Sequence, residues 1–164
     1  MKPNLIYYVI NCFWLIIPIL LWNAVFANRL PEPFLPKVFD NVPSWITYGE
    51  NSLRIFVFLL PLLMPLQISS NLQKTGLILY GVGVVIYFLA WLPLLFFSES
   101  GWSTSLIGFL APFYTPLIWA IGIGLIGRTL YIPIPYHPLV YITISTVFIV
   151  FHCWHGIIVY TKYF

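Results

Sequence analysis

Apolar residues dominate five stretches of the chain, Leu5 to Ala27, Leu53 to Ser69, Thr75 to Phe97, Ser105 to Gly127 and Leu139 to Tyr160. Arg54, at the start of the second stretch, is the one Asp, Glu, Lys or Arg among them. A spanning helix needs roughly 20 mostly apolar residues to cross a bilayer's hydrocarbon core. The pattern therefore predicts an all-α integral membrane protein, a five-transmembrane-helix bundle with a long structured loop between helices 1 and 2. Helices and loops together use up residues 1–164, so a single domain is expected.

Composition sharpens this reading. The chain is 61% hydrophobic and 7% charged, where an ordinary soluble domain carries about 25% charged residues. The run after Lys2 outlasts the roughly 7–15 apolar residues of a secretory signal, and no Ala-x-Ala follows it, so helix 1 is expected to be retained. A net charge of +3, scattered along the chain, lacks the clustered Lys and Arg of a nucleic-acid face. Nucleic acid is excluded as a partner, and the lipid bilayer is implied as one. Cys12 and Cys153 fall in opposite halves of the expected bundle, beyond disulfide reach, and read as small apolar fillers.

An odd number of crossings puts the termini on opposite sides. Lys2, Lys74 and Arg128 then share one side, and Arg29, Lys37, Arg54 and Lys162 the other. All four acids, Glu32, Asp40, Glu50 and Glu99, fall with the second group. The first group sits in shorter loops, which favours a bacterial cell membrane protein with its N-terminus cytoplasmic. Polar chemistry is expected on the acid-bearing side.

The Asn28 to Ser52 loop contains Pro31, Pro33, Pro36 and Pro43 among Phe34, Phe39, Trp45 and Tyr48. Proline restricts its backbone and the aromatics suit the headgroup region, so it reads as a lid on the bundle. Pro61 and Pro65 predict a kink in helix 2, and Pro112 and Pro116 one in helix 4. Gly76, Gly81 and Gly83, with Gly122, Gly124 and Gly127, have the spacing that lets helices 3 and 4 approach closely.

The candidate chemistry lies in few residues. His152 and His155 are three apart on one face of helix 5, continuing a stripe of Tyr141, Ser145 and Phe148. Ionisable groups inside spanning helices are costly and mark functional sites by default. Glu50 and Arg54 are spaced for a helical ion pair, and Glu99 ends helix 3 on the same side. These five residues form the expected polar cluster, with no catalytic residue assigned. Two imidazoles with carboxylates also suit zinc or iron, so His152 and His155 are candidate metal ligands. Their competing reading is as ordinary interface residues. No cofactor is named by any motif.

Aromatic stripes supply the rest: Tyr80, Tyr87 and Trp91 on helix 3, and Tyr7, Asn11, Trp14 and Pro18 on helix 1. Such stripes serve helix packing or line a ligand box. On the second reading, the candidate ligand-binding residues are Trp45, Tyr48, Tyr87, Trp91, Tyr114 and His152.

In its five helices, length, tryptophan content and long first loop, the chain resembles the TspO, or translocator protein, family. Pro43-Ser44-Trp45 stands where that family carries a Pro-x-Trp segment, and Trp91-Leu92-Pro93 followed by Phe96-Phe97 is similar to its Trp-x-Pro and paired Phe. Ile46 and Thr47 replace two family prolines, and Phe88 a family asparagine. The resemblance implies a pocket for porphyrins, sterols or similar flat ligands under loop 1. Three functional readings follow: a membrane protein that binds or transports a small hydrophobic or amphipathic molecule; a non-catalytic accessory or assembly subunit, as a homo-oligomer or in a larger membrane complex; and a metal-dependent membrane enzyme using the two histidines. The first is favoured, which makes enzymatic activity the lesser expectation.

Overall fold

The computed structural model describes residues 8–34 and 42–164. Pro36, Lys37, Phe39 and Asp40 of loop 1, together with Lys2 and Leu5 to Tyr7, lie outside the described residues. Those described are helical, without a strand; a lone bridge joins Asn11 and Pro65. We number the helices α1 (Cys12–Arg29), α2 (Ser44–Leu59), α3 (Asn71–Phe96), α4 (Ala111–Ile126) and α5 (Pro138–Tyr163). Three of them, α1, α3 and α5, are long and apolar enough to cross a membrane, and α4 is a shorter apolar helix.

α1 starts and ends as 3-10 turns, Cys12–Leu15 and Ala27–Arg29, around an α-helical centre, Ile17–Phe26. Asn11 caps it by accepting from the Phe13 N–H. α3 opens on a reciprocal cap between Ser70 and Gln73, satisfying donors that the first turn leaves open. It begins four residues before the expected Thr75. α5 begins at Pro138, whose missing N–H costs nothing in a first turn, with His137 accepting from the Leu139 N–H.

The second apolar segment departs most from the expected Leu53 to Ser69. Its helix begins at Ser44, passes into a 3-10 turn over Leu60–Leu63, and leaves residues 64–69 non-helical. Pro43 precedes the new start, and the polar run around Glu50 hid that start from a reading based on apolar length. Pro61 and Pro65 then prevent continuation, because each lacks an N–H and crowds the preceding turn. The last third or so of the expected lid, residues 44–52, is thus the first part of α2.

Non-helical backbone in an apolar setting must find partners elsewhere. The Cys12 N–H donates to the Met64 carbonyl at 2.8 Å, and the Leu66 N–H to the Ile10 carbonyl at 3.2 Å. The Tyr131 N–H donates to the Leu63 carbonyl at 2.9 Å, and the Tyr131 hydroxyl to the Ile10 carbonyl at 2.6 Å. The start of α1 and the α4–α5 connection therefore knit the unwound segment in place.

α4 breaks at the positions its prolines predict. A turn at Leu106–Phe109 precedes it, and Thr115 interrupts it between Ala111–Tyr114 and Pro116–Ile126. Pro116 offers no N–H to the Pro112 carbonyl, while the Thr115 hydroxyl donates to the Ala111 carbonyl at 2.7 Å.

Successive elements run antiparallel. One end gathers the start of α1, the end of α2, the start of α3 and the end of α4, where Gln73 donates to the Ile126 carbonyl. At the other end, the Tyr160 hydroxyl donates to the Thr104 carbonyl and the Tyr163 hydroxyl to Glu32. α2 packs along α5, α4 packs on α5, and α3 with α4 forms the most extensive pair. The Ile17–Phe26 stretch approaches no other helix so extensively. It is tied to α3 by a Trp22–Phe88 ring stack at 4.2 Å, and the turn before it by the Tyr80 hydroxyl donating to the Leu15 carbonyl.

Glycine makes the α3–α4 contact possible, as its spacing predicted. A Cβ on Gly83 would lie 2.4 Å from the Trp119 nitrogen, and one on Gly122 would lie 2.5 Å from the Tyr80 nitrogen. Both obstacles are backbone, so no side-chain rotation relieves them. Gly81 faces open space. Gly83→Ala and Gly122→Ala should each destabilise the protein by about 1–3 kcal/mol or more, and Gly81→Ala should not. Thermal unfolding in detergent checks this: an equal midpoint for all three variants would refute the close backbone contact.

Candidate functional site

Glu50 sits on the inner face of α2 and is 2% exposed. A buried carboxylate is tolerated only when paired and hydrogen-bonded, and three side chains supply those bonds. Arg54, one turn further along α2, donates from Nη2 to Glu50 Oε1. His152 Nδ1 meets the same oxygen at 3.0 Å, and His155 Nδ1 meets Oε2 at 2.6 Å. A carboxylate only accepts, so this network assigns an N–H to Nδ1 of both imidazoles. The three-residue spacing on α5 is what lets both rings reach one carboxylate.

His152 is held as well by aromatic faces. Its ring stacks on Phe148 at 5.3 Å, within 15° of parallel, and lies 4.6 Å from the ring of Phe113. About three turns earlier on α5 the Tyr141 hydroxyl donates to the Val57 carbonyl at 3.1 Å, a second cross-link between α5 and α2. The Tyr141, Ser145 and Phe148 stripe faces inward, as the sequence suggests, and all three residues are buried.

Beside the cluster lies a cavity of about 490 Å³ to which every helix contributes. Glu50, Arg54 and Phe58 line it from α2, and Phe148, His152 and His155 from α5. α3 adds Tyr87 and Trp91, α4 adds Pro112, Phe113, Pro116 and Trp119, and α1 adds Ile19, Leu20 and Asn23. Leu30 and Phe34, just beyond α1, complete the wall. The prolines that break α4 thus face the cavity. Phe34 bridges its rim, with ring centroids 5.3 Å from Trp91 and 4.9 Å from Phe109.

Of the polar-cluster and ligand-binding candidates read from sequence, the structure gathers Glu50, Arg54, Tyr87, Trp91, His152 and His155 around this cavity. It places the others elsewhere. Glu99 is exposed on the turn after α3. Trp45 and Tyr48 are 54% and 72% exposed, because they precede Glu50 by five and two residues and so point about 140° and 160° away from it around the helix. Trp45 packs instead edge-on against Trp154, centroids 4.9 Å apart. Tyr114 lies midway between the two cavity prolines of α4, on the opposite face, and its hydroxyl donates to the Ile107 carbonyl.

Asn23, Phe58, Phe113 and Trp119 escaped the sequence reading, and Phe34 entered it only as an aromatic of the first loop. Asn23 alone carried a signal, as a polar residue in an otherwise apolar helix; its Oδ1 accepts from the Tyr87 hydroxyl at 2.7 Å. The aromatics were indistinguishable from packing residues. Among the described residues, no group of three His, Cys, Asp or Glu side chains is arranged to hold a metal ion. The Nδ1 atoms of both histidines are directed at Glu50 instead. No protein-family model, curated protein or solved structure matches the chain.

Removing the carboxylate strands three donors. Leaving a buried donor unmet costs about 1–3 kcal/mol, so Glu50→Ala should lower the unfolding midpoint sharply. Glu50→Gln keeps one acceptor oxygen and adds an amide that an imidazole can accept from after changing tautomer, so its loss should be smaller. Equal midpoints for wild type and Glu50→Ala would contradict the pairing.

Proposed function

We propose that this protein is a five-pass membrane protein that binds, and moves across or within the bilayer, a small hydrophobic or amphipathic molecule held in the cavity between its helices. The observation that carries the proposal is the cavity itself, walled by all five helices and bearing the Glu50 cluster in an otherwise aromatic and aliphatic lining. Its volume falls within the roughly 300–1,000 Å³ of small-molecule sites, which combine an apolar wall with a few placed polar groups. The crossings by α2 and α4 rest on their ends, which meet the same partners as the ends of the three long helices. The Leu60–Leu63 turn extends α2, and the Leu106–Phe109 turn extends α4. The flat-ligand class implied by the TspO resemblance is supported by Trp91 in the wall, while Trp45 lies on the outer face of α2.

Energy transfer from tryptophan to the flat apolar probe pyrene, measured on detergent-purified protein, tests the reading. A saturable signal is expected, weakened in affinity by Leu30→Phe, which adds bulk at the cavity wall, and unchanged in affinity by Trp45→Ala, whose lost indole alters only the amplitude. Purely linear partitioning, identical in all three proteins, would sink the binding reading and favour an accessory subunit.

A further inference from the structure

The polar groups of the cavity wall are unevenly matched. Glu50, its one carboxylate, has both oxygens engaged. Arg54, its one Lys or Arg, uses a single guanidinium nitrogen on Glu50 and is 44% exposed, whereas Glu50 is 2% exposed. A guanidinium has five N–H donors, so most remain for an occupant. Asn23 spends its carbonyl oxygen on Tyr87 and keeps its amide donors. The Trp119 Nε1 is buried with no hydrogen-bond partner, and indole nitrogen is a donor only. Apart from the Nε2 of His152, an acceptor once its Nδ1–H is given to Glu50, the side-chain groups the wall leaves over are mostly donors, and Arg54 is the charged one among them.

Among the described residues, the helix arrangement also leaves a gap. α1 and α2 are joined through backbone at their Asn11–Pro65 end. Away from it, Ile17–Phe26 leans on α3 and makes no extensive approach to Ser44–Leu59. Leu20 and Asn23 on one side of this gap, and Arg54 on the other, are exposed and line the cavity.

Resting on the small-molecule reading above, we propose that the ligand is a single-chain amphiphile with a carboxylate head, taken up from the bilayer between α1 and α2. The head is bound by the free donors of Arg54 and Asn23, and the chain lies against Phe58, Trp119 and Phe148. Arg54 and Asn23 are then the residues that set specificity for an acceptor head. The carboxylate is an obligate acceptor that suits this surplus of donors, and a charged donor makes the stronger bond to it.

The test is equilibrium binding of radiolabelled palmitate to the detergent-purified full chain. Saturable binding is expected, weakened about tenfold or more by Arg54→Gln and measurably by Asn23→Leu. Two variants guard against a folding defect, and each is checked for an intact saturable pyrene signal. Acetate and inorganic phosphate should not compete, and hexadecylammonium and methyl palmitate should compete far less than palmitate. Competition by hexadecylammonium or methyl palmitate equal to that by palmitate, or unaltered affinity in Arg54→Gln, would overturn the carboxylate assignment while leaving a small-molecule cavity standing. Competition by phosphate would point to an aqueous anion and overturn uptake from the bilayer. Saturable pyrene binding with no palmitate binding would likewise defeat this inference alone, and loss of both would defeat the underlying reading.

Discussion

A carboxylate removed from water has to be surrounded by donors, and that requirement on Glu50 organises the inner half of this protein. Its two oxygens are shared between Arg54 on the same helix and two histidines on α5, so the polar cluster is also the clamp between α2 and α5. Replacing such a buried arrangement with apolar side chains would often be neutral or stabilising. Stability alone is therefore a weak explanation for its place beside the cavity. The aromatic rings of Phe113 and Phe148 fix His152 against the cavity wall, which leaves its Nε2 as the ring nitrogen not committed to Glu50.

The cavity owes its room to two opposite backbone devices. Glycines on α3 and α4 bring those helices into backbone contact, which tightens one side of the bundle. Prolines on α2 and α4 interrupt hydrogen bonding and divert the chain, and each diversion is compensated. The unwound stretch after α2 is paired to the start of α1 and to Tyr131, and the break in α4 is bridged by Thr115. α1, tied at its beginning and along α3, completes the wall without closing tightly on α2. Close packing in one place and openness in another thus come from residue types with opposite effects on the backbone.

The helical class, the inward stripe of α5 and the close α3–α4 contact were legible because each rests on a local rule: apolar length, three-and-four spacing, and small residues at an interface. Glu50, Arg54, His152 and His155 were legible together for a similar reason, since ionisable side chains are rare in apolar helices and only a few stood on one side. The start of α2 was not, because a helix rooted in polar residues offers no apolar signal until Leu53. Misplacing that start put Trp45 and Tyr48 in a loop with free orientation, when helical geometry turns both away from Glu50. Phe34, Phe58, Phe113 and Trp119 could not be separated from the other aromatics, because what distinguishes them is the wall they share across different helices. Asn23 could have been found, as the one amide in the second half of α1's apolar run, from which it meets Tyr87 across the bundle.

The central claim is that Glu50 on α2 and His155 on α5 form one buried interaction that holds the cavity wall together. A double-mutant cycle with Glu50→Ala and His155→Ala, read as unfolding free energy in detergent, measures it directly. Residues in one hydrogen-bonded network typically couple by about 0.5–3 kcal/mol, while distant sites add to within about 0.5 kcal/mol. The account predicts coupling of at least about 1 kcal/mol, the usual net worth of a buried hydrogen bond. Strict additivity of the two substitutions would contradict it.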